Sequence, residues 1–206
     1  MTETFITFII PTIGRETLKK SIESLLYQTD NDWNAIIIFD GIKKNIDIID
    51  KRIKIIEINK IGNIDIKNNG GLVRNIGIKN VEKSLWIGFL DDDDYLSENY
   101  ILNLKNEISI HNNLEICIFR MAYENGYVLP TKNDKNINRY KVGISFAIKK
   151  YVGDHILFSN NPFEDYLFLK NAQNKKYKII ISSYVTYFVR SFPKNYELYP
   201  KILINF

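Results

Sequence analysis

The apolar run Leu85-Trp86-Ile87-Gly88-Phe89-Leu90 ends on four consecutive aspartates, Asp91 to Asp94. A short apolar run bounded by polar residues reads as a strand covered on both faces, which confines the chain to folds with a buried sheet. In an open α/β sheet the ligand crevice lies just beyond the carboxyl ends of the strands. Four carboxylates gathered there repel one another unless a cation holds them. Residues two apart in a strand point to the same side. Asp91 and Asp93 are therefore expected to face one oxygen-liganded ion such as Mg²⁺ or Mn²⁺. Asp92 and Asp94 have the same spacing and leave the pairing open. The competing reading is a solvated acidic turn, because Asp favours turns and helix N-caps.

Other apolar runs set the frame around this one. Phe5–Ile10 reads as a first strand stopped by Pro11, Ala35–Phe39 as a second ending at Asp40-Gly41, and Ile53–Ile58 as a third. Leu18, Ile22, Leu25 and Leu26 fall on one face of a helix over about 15–28, and a second helix covers about 71–81. Ser97 is placed to cap a helix in which Ile101, Leu104 and Ile108 share a face. Leu114–Arg120 and Ile144–Ile148 are strand-like, and 122–141 reads as loop with at most a hairpin. Residues 163–174 read as a helix, followed by strands over Tyr177–Ile181 and Val185–Val189. The alternation over the first 120 residues predicts an α/β fold. Its sheet is expected to be mainly parallel and Rossmann-like, with helices on both faces and a short strand-rich C-terminal part.

A length of 206 residues suits one domain over 1–206. The net charge of +4 is carried by scattered lysines rather than a continuous stripe, which argues against nucleic-acid binding. The lone Cys117 excludes an intramolecular disulfide and, with no Cys/His zinc spacing, points to a reducing, cytoplasmic setting. No stretch approaches the roughly 20 apolar residues of a transmembrane helix, so membrane association is expected to be peripheral at most.

Pro11-Thr12, Asp40-Gly41 and Asp91 to Asp94 sit at successive predicted strand ends, so the crevice rule brings them together. Between them, Gly70-Gly71 permits close backbone approach, and Arg74 opens a helix from which it reaches a phosphate or lies on the surface. In Asn161-Pro162-Phe163-Glu164-Asp165, Asn161 and Glu164 have the spacing of a capping box. Asp165 favours the helix dipole there, or serves as general base toward an alcohol. His111 ends a helix and reads as structural, and His155 falls in a predicted loop. Neither a Ser-His-Asp nor a Cys-His set is present.

Taken in order, these segments resemble the family 2 glycosyltransferases of the GT-A fold, over Ile6 to about Arg190. The matching residues are Phe8-Ile9-Ile10-Pro11-Thr12, Leu25-Leu26-Tyr27-Gln28-Thr29, Asp40-Gly41, Arg74-Asn75-Ile76-Gly77, Trp86 through Tyr95, and Phe163-Glu164-Asp165-Tyr166. The resemblance implies a single GT-A domain, with a nucleotide-sugar side over about 1–120 and an acceptor side over about 121–206. It implies transfer of a sugar from a nucleoside diphosphate donor, UDP favoured, to a glycan, lipid-linked or protein acceptor, with inversion and with Mn²⁺ or Mg²⁺ as cofactor. Pro11 and Thr12 would border the base, and Asp40 would accept a hydrogen bond from a uracil-type ring nitrogen. Arg74 would lie near the base or diphosphate, and Asp92 would line the donor site. Asp91 and Asp93 would form the DxD motif, Glu164 and Asp165 the acidic pair with Asp165 as base, and Arg190 would bind the diphosphate.

The chain departs from the family pattern in three places. Ile13-Gly14 follows Thr12 where Tyr-Asn is common, Phe39 precedes Asp40 where a second aspartate is common, and no histidine stands near Tyr187–Arg190. The alternatives are a nucleotide-sugar-binding module without catalysis and an aspartyl-phosphate enzyme. For the latter, Tyr95 stands where Thr or Val is usual. A sugar nucleotidyltransferase would show a Gly-rich basic loop after the first strand, and Ile13-Gly14-Arg15 is too sparse for one.

Overall fold

The chain is described by a computed structural model over residues 3–43, 46, 50–61 and 70–189. Four strands make its parallel half: β1 (Thr4–Thr12), β2 (Trp33–Asp40), β3 (Ile53–Ile58) and β4 (Ser84–Phe89). They lie in the order β3-β2-β1-β4, with helices α1 (Leu18–Leu26) and α2 (Gly70–Asn80) in the connections. Ile6, Phe8, Ile9 and Ile10 of β1 are all fully buried, which explains a run without polar alternation.

Beyond β4 the sheet is mixed, and this corrects the mainly parallel expectation. β6 (Ile116–Tyr123) and β8 (Phe146–Lys149) run antiparallel to each other, and β8 runs antiparallel to β4. β9 (Ile179–Val189) lies parallel to β6, β5 (Tyr95–Leu96) antiparallel to β9, and β7 (Val128–Leu129) forms a hairpin with β6. A parallel neighbour needs a long crossover, usually a helix, whereas the loop leading from β7 to β8 lets the chain come back the other way. An apolar run carries no sign of its direction, so the sequence could not show this.

Adjacent residues of β1 meet opposite layers. The Phe8 ring packs edge-on to Tyr100 of α3 (Tyr100–Ile110) at 5.4 Å. Ile9 faces α2 at Gly77, where an added Cβ would lie 2.4 Å from Ile9 Cγ2. Helices thus cover both faces. Helix α4 (Lys150–His155) was expected as loop, and α5 (Glu164–Asn174) lies beyond it in the chain. His155 therefore ends a helix, with Nδ1 3.1 Å from the Tyr177 hydroxyl, while His111 sits at the C-terminus of α3, 3.3 Å from Glu107.

Three local expectations change. Pro11 lies inside β1 rather than ending it, because the ladder to β4 stops at Ile9–Phe89 and no neighbour asks for the missing N–H on that side. The cap position of α3 is Asn99, and Ser97 contributes its carbonyl to Tyr100 N–H instead of its hydroxyl. The two late strands are one. Ser182 does not break β9 because Arg120 Nε donates to its carbonyl at 3.0 Å across a register shift. No helix among the described residues is long and apolar enough to cross a membrane.

Because α2 rests its backbone directly on β1 and β2, Gly77→Ala should lower stability by about 1–3 kcal/mol, the cost of overpacking a close contact. Urea unfolding should show a lower midpoint with an unchanged m-value.

Candidate active site

The carboxyl ends of β1, β2 and β4 bring Thr12, Asp40 and the aspartates to one edge of the sheet. Leu90 N–H still pairs with the Ile9 carbonyl at 3.1 Å, and the chain then turns, with Asp94 N–H donating to the Asp91 carbonyl at 3.2 Å. This turn, rather than strand alternation, gathers Asp91, Asp93 and Asp94. Each offers one carboxylate oxygen, and the three lie within 4.8 Å of one another. Such a set of hard oxygen donors suits a divalent ion of the Mg²⁺ or Mn²⁺ kind. Asp92 points elsewhere. It is buried, and accepts the Thr12 hydroxyl at 2.6 Å and Arg15 Nη1 at 2.6 Å.

Two guanidiniums compensate this charge. Arg74 of α2 is 3% exposed and donates Nη1 to Glu164 at 2.9 Å and Nη2 to Asp91. Burial works against its charge, but Asp91 and Glu164 outweigh burial and hold the guanidinium above its ordinary value. Arg15 spans Asp92 and Asp93, at 2.6 and 3.2 Å. Even so, burial and the neighbouring Asp91 raise the Asp93 carboxyl above the usual range, with Arg15 opposing. Tyr187 of β9 closes the floor, its buried phenol oxygen accepting Asp91 N–H at 3.1 Å.

Glu164 is not a capping-box acid. Phe163 occupies the cap position of α5, Asn161 Oδ1 accepts Phe163 N–H at 3.0 Å, and the Glu164 carboxylate is turned to Arg74. Asn75, next to Arg74, clamps the segment before α5 with two 2.8 Å bonds to the Phe158 backbone. Phe158 in turn stacks on Phe168 of α5 and meets Phe89 of β4 edge-on. The start of α5 is thereby fixed at the sheet edge.

Asp165 is half-buried, and its Oδ1 accepts Tyr166 N–H at 2.6 Å. Burial and the adjacent Glu164 push its carboxyl up to about 7. Gly143 lies beside the other oxygen, where a Cβ would make an ordinary 3.6 Å contact with Asp165 Oδ2. Asp40 is buried at the end of β2 and accepts Ile61 N–H at 2.8 Å, and Pro11 is half-buried opposite Ile38. Arg190 lies outside the described residues.

The family model for Glycosyl transferase family 2 matches residues 7–193. The chain belongs to that family. A relative by sequence is the minor teichoic acid biosynthesis protein GgaA of Bacillus subtilis (strain 168), 31% identical over 178 residues. That match covers 76% of this chain and 39% of GgaA. Among solved structures, S. aureus TarS 1–349 superposes with a TM-score of 0.70 at 17% identity, over 90% of this chain and 60% of that one. The same fragment in complex with UDP-GlcNAc gives 0.68 at 16% identity, over 96% of this chain and 62% of that one. The likeness to TarS establishes the fold, and the chain spans less than two thirds of each of these proteins.

Sequence reasoning passed over Arg15, Asn75 and Tyr187. The signal for Arg15 was available: four adjacent carboxylates require nearby cations, and Arg15 stands just past the end of the first strand.

The charges of the site lead to two expected outcomes. Arg74→Met strands the buried Glu164 carboxylate and leaves the part-exposed Asp91 without its partner, and should cost about 3–5 kcal/mol in urea unfolding, with Glu164→Gln restoring part of it in the double variant. The folded value of Asp165 lies above its unfolded one, so the stability it contributes is complete at low pH and lost as pH rises through about 7. Asp165→Asn should therefore melt several degrees above wild type at pH 8, with the gain shrinking toward pH 4.

Proposed function

We propose that the chain is a glycosyltransferase unit that moves a sugar from a nucleoside diphosphate donor, UDP favoured, to an acceptor hydroxyl with inversion. The observation that carries this reading is the meeting, at one sheet edge, of a three-carboxylate cluster with a separate carboxyl raised to about 7. The first suits a cation-bound diphosphate and the second a proton acceptor working near neutral pH. Residues about 1–120 would form the donor side and about 121–206 the acceptor side of one domain over 1–206.

Asp91 and Asp93, with Asp94 beside them, would hold Mn²⁺ or Mg²⁺, which as a Lewis acid would offset charge growing on the departing diphosphate. Asp40 would accept the ring N–H of the base, with Pro11 and the Thr12 backbone along its edge. Arg74 would keep Asp91 and Glu164 in place beneath the diphosphate. Asp165 would take the proton from the acceptor hydroxyl as its oxygen attacks the anomeric carbon in line, displacing the diphosphate from the opposite side. One carboxylate base is enough for that displacement. Arg190 is a further candidate for the diphosphate.

The names of the relatives direct the first trials. TarS has been crystallised with UDP-GlcNAc, which makes that sugar nucleotide the first donor to test. The name of GgaA makes a teichoic-acid-type polymer the first acceptor to try. A catalytically inactive binding module is the alternative reading, and the same experiments separate it.

Calorimetry should show UDP binding with Mn²⁺ or Mg²⁺ that is lost in EDTA and in Asp93→Ala. Absence of binding by UDP, GDP and dTDP under every metal condition would remove the basis of the proposal. Asp165→Asn should retain UDP binding and lose transfer by about 10²–10⁴-fold. Wild-type rate should rise with pH through about 7, as the base deprotonates. Binding without turnover in the wild type, across donors and acceptors, would select the inactive module.

A further inference from the structure

Arg15 stands where β1 hands over to α1, after a turn at Gly14 with φ +82° in which Gly14 N–H donates to Thr12 Oγ1 at 2.9 Å. Its two carboxylate contacts are unequal. The contact with Asp92 is short, at 2.6 Å, and reaches a side chain only 3% exposed that also holds Thr12. The contact with Asp93 is longer, at 3.2 Å, to a side chain 31% exposed. Charge-assisted bonds to buried carboxylates are strong and costly to break, while solvent-exposed pairs at longer distance contribute little. Arg15 is therefore anchored on Asp92 and only resting on Asp93.

Both contacts use the same nitrogen, Nη1. Among the described residues no partner is seen for Nη2 or Nε, and the side chain is 47% exposed. The planar guanidinium keeps donors free at the mouth of the carboxylate cluster. A guanidinium of this kind matches phosphate oxygens.

Resting on the transferase reading above, we infer that Arg15 is a diphosphate-binding residue parked on Asp93, competing with the divalent ion for that carboxylate and cooperating with it in holding the nucleotide. An ion on Asp91, Asp93 and Asp94 makes the Arg15–Asp93 contact redundant. The guanidinium, still tethered to Asp92, then turns its free N–H donors to the phosphates. The same side chain thus weakens binding of the metal alone and strengthens binding of the nucleotide with the metal. By reciprocity, Mn²⁺ and UDP promote each other's binding, and Arg15 carries part of that coupling.

The test is a pair of titrations on wild type, Arg15→Gln and Arg15→Lys: Mn²⁺ alone, monitored by electron paramagnetic resonance of the free ion, and UDP at saturating Mn²⁺ by calorimetry. Thermal unfolding of each variant checks that it folds. Arg15→Gln should bind Mn²⁺ alone several-fold more tightly and UDP about tenfold more weakly, effects of opposite sign that a merely structural role would not produce. Arg15→Lys, keeping the charge without the fork, should fall between. The inference is overturned if Arg15→Gln weakens both ligands together, or leaves UDP affinity unchanged while wild type binds UDP. Should Arg15→Gln fail to fold, Arg15→Lys decides, because loss of UDP affinity without loss of Mn²⁺ affinity is still required. Wild type that binds no UDP with any metal would instead sink the transferase reading, and this inference with it.

Discussion

A guanidinium buried between two carboxylates joins the two halves of this chain. Arg74 belongs to a helix of the parallel half, Asp91 to the turn after β4, and Glu164 to the first turn of α5, 90 residues beyond Arg74. The Arg74 and Glu164 charges would each be costly at such depth alone, and with Asp91 they hold α5 against the carboxyl edge of the sheet. Gly71 adds the close approach this needs, because a Cβ there would stand 2.8 Å from Glu164 Cγ. Phe158, packed among Phe89, Phe146 and Phe168, supplies the apolar side of the same joint.

That joint also gives two adjacent acids different surroundings. Glu164 is ion-paired to Arg74, while Asp165 has the Tyr166 N–H and lies next to the Glu164 charge. Neighbouring carboxyls in different surroundings can perform different chemistry, one as a fixed charge and one as a proton acceptor. The aspartate turn divides in the same way. Asp92 is spent on Thr12 and Arg15, which frees its neighbours to converge.

The mixed half of the sheet does more than complete the core. By running antiparallel to β4, β8 delivers its chain to α4, and the path to α5 then returns beneath Phe158 to the carboxyl edge. β9, alongside β6, carries Tyr187 to the Asp91 amide. A wall is thereby built from the C-terminal third over the edge where the polar groups of the first strands gather.

The buried strands, the helices between them and the polar groups at the strand ends were legible in the order of amino acids alone. Burial on both faces leaves an unbroken apolar run, and the crevice rule locates the polar residues at the end of each run. That was enough to bring Thr12, Asp40 and Asp91 to Asp94 under suspicion together, whereas Asp165 was singled out separately, by its place at the start of a helix. Strand direction after β4, the single β9 and helix α4 emerged only from the folded chain, because apolar patterning carries neither direction nor partner. The same holds for the charges. That Asp92 binds Arg15 while Asp91 and Glu164 share Arg74 depends on contacts across 17 to 90 residues of chain. Local spacing offers several pairings for a row of four carboxylates, and only the position of the guanidiniums in space selects one.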